Sequence, residues 1–130
     1  MASILTIWCN AKFAEPAYQL LVDGIRPHRL VASAQVAASV LTPGKPDSAL
    51  AAADIAFGQP NVEQSIECHG LRWIEVTSAG FTRYDREDFR EAMGRRGAAF
   101  TNASSVFAEP CAQHALAMML ALSRQLPASH

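Results

Sequence analysis

The residues of this chain best suited to chemistry are small ones. In the stretch WIEVTSAGFTRYD, Trp73 to Asp85, a run of β-forming residues stops at Ser78-Ala79-Gly80, where nothing bulky projects. Thr101-Asn102-Ala103-Ser104 has a similar make-up. Successive backbone N–H groups beside a glycine can line an anion-binding concavity without any charged side chain, and a small carboxylate suits such a cradle. A glycine also lets another group approach the main chain closely. A plain tight turn uses the same residues, because Gly and Ser are ordinary turn formers. Both readings stand at this point.

Other chemistries find less support. Cys111 and His114 are three apart, which on a helix puts them on one face, and Cys68 adjoins His69. Zinc needs four ligands, and there is no CxxC, HxxxH or HExxH pattern to supply them, so no metal is expected. A Cys/His nucleophilic pair lacks an orienting third group. The three cysteines Cys9, Cys68 and Cys111 are odd in number and widely spread, the pattern of reduced, buried thiols. His28 and His69 read as loop or surface residues, and His114, among apolar neighbours, as a packed or domain-facing one.

A chain of 130 residues makes one domain, 1–130, long enough to bury roughly two thirds of its unfolded surface. Eleven basic against twelve acidic residues give a net charge of −1, and Arg95-Arg96 is the only adjacent basic pair. No nucleic-acid partner is expected from that pattern. The start, MASILTIWCNAKF, has no basic leader region, and the apolar run from Ala115 to Leu122 is far below a membrane span. The expectation is a soluble, cytoplasmic protein with no membrane partner.

The elements that must position the small residues alternate in type. Strands are expected in ILTIWC (Ile4 to Cys9), HRLVAS (His28 to Ser33), DIAFG (Asp54 to Gly58), LRWIEVTS (Leu71 to Ser78) and AAFTNA (Ala98 to Ala103). Helices are expected between them: one after the first strand with Pro16 in its first turn, a short one capped by Asp47 or Ser48, and one running from a cap at Asn61 to a stop at Gly70. A fourth covers Tyr84 to Gly97, with Arg95-Arg96 at its negative end. LTPGKP (Leu41 to Pro46) is a loop. Such alternation implies an α/β fold: a mostly parallel sheet of about five strands with helices on both faces, binding ligands beyond the strands' carboxyl ends. Those ends are Cys9-Asn10, Gly58-Gln59-Pro60, Thr77 to Gly80 and Thr101 to Ser104.

Each common chemistry of this architecture leaves a mark there. A phosphoacceptor domain needs acidic residues where Cys9-Asn10 and Gly58-Gln59 stand. A flavin-phosphate loop wants glycine or hydroxyls in CNAKFAEP, which has neither. GxGxxG and the P-loop pattern are missing, so this chain by itself is expected to bind no dinucleotide.

ADIAFGQP, LRWIEVTSAGFTRYD, AAFTNASSVFAEP and CAQHALAMMLALSRQLP, in that order between Ala53 and Pro127, resemble the N-terminal domain of the D-isomer-specific 2-hydroxyacid dehydrogenases. The resemblance implies a flavodoxin-like substrate-binding domain ending in a long apolar interdomain helix at about 107–126, with Cys111-Ala112-Gln113-His114 opening it. It implies a small 2-hydroxy or 2-oxo carboxylate held by backbone N–H groups of Ser78, Ala79 and Gly80. A separate Rossmann domain, absent from these residues, would bind NAD or NADP and carry the catalytic residues, so none is assigned here. The chain is then half of an NAD(P)-dependent oxidoreductase, inactive alone. The alternative is a stand-alone flavodoxin-like interaction module that associates through its final helix. Either reading gives that helix a cover, a homodimer or the missing nucleotide-binding domain.

Overall fold

The computed structural model describes residues 3–126; the ends of the 1–130 span, including Pro127 of the last resembling stretch, lie outside the described residues. The strands are β1 (Thr6–Cys9), β2 (Arg29–Ala32), β3 (Ile55–Gly58), β4 (Trp73–Val76) and β5 (Ala99–Asn102). The helices are α1 (Glu15–Gly24), α2 (Val62–Glu67), α3 (Glu87–Arg96) and α4 (Ser104–Ser123), with 3₁₀ turns at Ser48–Ala52 and Thr82–Tyr84. The five strands form one sheet in the order β2-β1-β3-β4-β5, and every pairing is parallel. The order reverses between β1 and β3, which opens a crevice beyond their carboxyl ends.

The core follows from the period of two in the strands. Trp8, Ala56, Ile74 and Phe100 stand in one row across four strands. They meet Leu50 of the first 3₁₀ turn, Val62 of α2, and Phe89 and Met93 of α3. Phe89, Ala92 and Met93 are three and four apart, the spacing that puts one stripe of α3 on the sheet. Fully burying a side chain such as Ile74 or Leu50 is worth about 1.5–3 kcal/mol, so this layer holds the sheet's first face.

Local chemistry sets most of the boundaries. Asn61 caps α2 by accepting from the Gln64 N–H at 2.9 Å, but the helix ends at Glu67, before the expected stop at Gly70. α3 starts at Glu87 instead of Tyr84 because Thr82–Tyr84 closes its own 3₁₀ turn. Gly97 ends α3 in the left-handed conformation at φ 63°, as glycine after Arg95-Arg96 suggested. Asp47 caps a 3₁₀ turn, not an α-helix, accepting from the Ala49 N–H at 3.0 Å.

The sheet's second face differs from the expectation. Right-handed crossovers put α1 on that face, opposite α2 and α3, yet α1 buries none of its residues. Phe13, ahead of α1, stacks on Phe57 at 5.6 Å. Farther along, Trp73 is 41% exposed, and Ala99 and Thr101 are exposed too. Along β4 and β5 the burial alternates residue by residue, closed on the α3 side and open on the other.

The final helix also departs from its expectation. It starts at Ser104, ahead of both position 107 and Cys111, and it is not apolar throughout, since Glu109, Gln113 and His114 interrupt it. No residue of α4 is buried, so Cys111 is exposed while Cys9 and Cys68 are buried, and His114 is exposed instead of packed. Among the described residues no helix is long and apolar enough to cross a membrane, and no group of three or more potential ligands could hold a metal ion.

Candidate functional site

At the carboxyl ends of β1, β3 and β4 a buried amide network ties three strands together. Asn10 Nδ2 donates to the Gln59 carbonyl at 2.9 Å, and the Gln59 N–H donates to Asn10 Oδ1 at 2.7 Å. Both side chains are 1% exposed. The fit depends on Gly58, whose φ is 133°: a Cβ there would meet Asn10 Oδ1 at 2.2 Å. Gln59 then reaches β4, its Nε2 donating to Ser78 Oγ at 3.1 Å and Thr77 Oγ1 at 3.3 Å. Ser78 gives its hydroxyl hydrogen to the Gly80 carbonyl at 2.7 Å, so it can only accept from Gln59. That fixes the amide with nitrogen toward the loop and leaves Oε1, also buried, with no partner among the described residues.

The Ser78-Ala79-Gly80 loop is fastened by its carbonyls. The Ala103 N–H donates to the Ser78 carbonyl at 3.2 Å. The Ala79 carbonyl accepts from Asn102 Nδ2 at 2.8 Å and from Ser104 Oγ at 3.2 Å. In a planar trans peptide the N–H points opposite to the C=O. The N–H groups of Ala79 and Gly80 therefore both point away from the β5–α4 junction, toward the same side of the loop. Among the described residues neither has an acceptor. The loop's own chain does not need its glycine: Gly80 is not in the left-handed region, and a Cβ on it meets nothing within 4 Å. Sequence reasoning located this loop but missed the Asn10–Gln59 network behind it. Its only signal was a pair of uncharged amides at two strand ends.

Beside the network lies a cleft of about 220 Å³ walled by Ala11 to Phe13, Ala37 to Val40, Gln59 and Thr77. The 37–42 segment is held in place from two sides. The Ala37 N–H donates to the Asn10 carbonyl at 2.9 Å. Arg83 donates to the carbonyls of Thr42 at 2.7 Å, Leu41 at 2.8 Å and Val40 at 3.2 Å. Lys12 is the one ionisable side chain in the cleft wall among the described residues. A larger cavity of about 450 Å³ sits at the other end of the molecule, between the C-terminal ends of α2 and α3.

Two buried polar residues near the strand ends are structural. Tyr84 donates to the Pro60 carbonyl at 2.8 Å, and burial pushes its phenol pKa up, so it stays a neutral donor. Asp47 is 8% exposed and accepts from Trp8 Nε1 at 3.0 Å, the Ser33 hydroxyl and the Ala49 N–H. Burial alone would raise its pKa, but these three donors together hold the carboxyl below its ordinary range. The cleft wall holds no carboxylate, histidine or thiol. Nor do the residues fit a dinucleotide: the turn from Asn10 to Ala14 has no glycine, and Ala14 gives α1 no side-chain cap. The chain matches no protein-family model and no curated protein.

Proposed function

We propose that this chain is the substrate-binding half of an NAD(P)-dependent D-2-hydroxyacid dehydrogenase, built on a flavodoxin-like fold. One observation carries the reading: two adjacent peptide N–H groups, of Ala79 and Gly80, face the same way with no acceptor among the described residues, at a strand end whose sequence resembles that family's carboxylate loop. The ligand is a small 2-hydroxy or 2-oxo carboxylate whose oxygens take those two bonds. NAD or NADP supplies the hydride chemistry from a separate Rossmann domain; the residues here bind and orient the acid. The strand order 2-1-3-4-5 agrees with the fold implied by the resemblance.

Two charge-assisted bonds of about 1.5–3 kcal/mol each correspond to dissociation constants in the millimolar range or somewhat below, since 1 mM is ~4.1 kcal/mol. Titration of the protein with glyoxylate or pyruvate is expected to move the amide resonances of residues 78 to 80 first. Gly80→Val should abolish those shifts and leave the fold intact, because its side chain enters open space that only the ligand would occupy. Shifts confined to other regions, or unchanged binding by Gly80→Val, would return the loop to a plain turn.

A second reading, an interaction module that associates through its final helix, is favoured by the exposed Leu116, Met119 and Leu120 of α4.

A further inference from the structure

Parallel sheets are ordinarily covered on both faces, and among the described residues the β4–β5 part of this one is not. On the face away from α2 and α3, Trp73 pairs in register with Ala99 of β5 and Ile55 of β3, and all three are open or half-open to solvent. Trp73 Nε1 donates to Thr101 Oγ1 at 2.6 Å, which holds the indole across the β4–β5 edge. The same chain carries an element with the opposite need. Seven large apolar side chains between Val106 and Leu122 of α4 are 44% to 67% exposed.

The connection between β5 and α4 keeps the two surfaces of one chain apart. Strand-to-helix connections generally take about 2–6 residues to turn the helix back over its sheet; here Ala103 alone separates Asn102 from Ser104. The three hydrogen bonds from Asn102, Ala103 and Ser104 to the 78–79 carbonyls fix the helix where it leaves. A 20-residue helix is about 30 Å long, and five strands span roughly 20 Å across, so α4 is long enough to cross the open face of another sheet.

We propose that α4 of one copy covers the Trp73–Ala99 face of a second copy, and that the second returns its own α4 to the first. Such an exchange satisfies both surfaces with one two-fold contact. Each exposed Leu or Met leaves on the order of 100 Å² in water; Val106, Leu116, Met119 and Leu120 share one stripe of α4, and because each copy contributes both that stripe and its open sheet face, the contact approaches the ~800 Å² per partner of a standard interface. The inference does not depend on the carboxylate reading.

Two variants separate this exchange from helix-to-helix pairing. Leu116→Lys with Leu120→Lys puts two charges on one stripe of α4, and Ala99→Arg puts one on the sheet face; both sets of positions are exposed, and far-UV circular dichroism checks that the folds persist. The unmodified protein should sediment as a dimer, and each variant alone as a monomer. An equimolar mixture of the two should regain dimer, because one of the two contacts is intact in the mixed pair. An Ala99→Arg protein that dimerises like wild type, a mixture that stays monomeric, or a wild-type monomer would overturn the proposal. In the unmodified chain Trp8 is already buried, so Trp73 emission should shift to the red on dilution; dimer dissociation without that shift would also overturn it.

Discussion

Asp47 shows how much one buried carboxylate can organise. Its oxygens collect donors from β1, from the residue after β2 and from the 3₁₀ turn, so removing the charge loosens three segments together. Asp47→Ala is expected to cost about 1–3 kcal/mol, read from denaturant midpoints. Because its folded pKa lies below the ordinary value of 3.8, the charge contributes stability above that pH and loses it as pH falls through the folded value. The stability gap between wild type and Asp47→Asn should therefore be largest near neutrality and narrow below about pH 4. A gap that widens with acid would show that the carboxylate is strained instead of stabilised. At this scale the sequence is readable where a residue acts on its own neighbours, as Asp47 and Asn61 do in their caps. Gln59 was legible only as a strand-end residue, because its partners Asn10 and Ser78 come from other strands.

Among the elements, the five strands were legible from their runs of β-formers, and their observed cores are shorter by the residues that turn toward loops. α4 was misjudged at its start. The resemblance implied a helix at about 107–126 opened by Cys111 to His114, but the hydrogen bonds that begin it belong to Asn102 and Ser104 acting on the β4 loop. Leu41 to Pro46 was legible as a loop, whereas the fixed shape of the 37–42 segment depends on Arg83, distant in sequence. Arg83→Ala removes three bonds to exposed carbonyls, each worth well under the ~1.5 kcal/mol of a typical net hydrogen bond, so global stability should change little. Amide exchange at residues 39 to 42 should accelerate severalfold all the same. Unchanged exchange there would show that the Asn10 contact alone holds the cleft wall.

For the whole molecule, sequence alternation conveyed the parallel sheet but not its half-open state. Whether a face is covered depends on where α1 and α4 go, and short-range pattern does not carry that information. The proposed function has a consequence at this scale: purified protein mixed with glyoxylate or pyruvate and NADH or NADPH should leave the cofactor's absorbance unchanged, since the turn from Asn10 to Ala14 offers no dinucleotide cradle. Turnover that follows the protein through purification would defeat the reading.

One peptide plane joins the two regions most open to partners. The Ala79 carbonyl and the Gly80 N–H belong to the same amide: the oxygen takes the side chains of Asn102 and Ser104 at the root of α4, and the hydrogen faces solvent. An anion accepting from that N–H polarises the amide and makes its oxygen a stronger acceptor. Binding at the loop would then stiffen the root of the helix, and by reciprocity anything that steadies the helix would tighten the loop's grip on an anion. The loop and the helix would thus sense each other through a single delocalised bond.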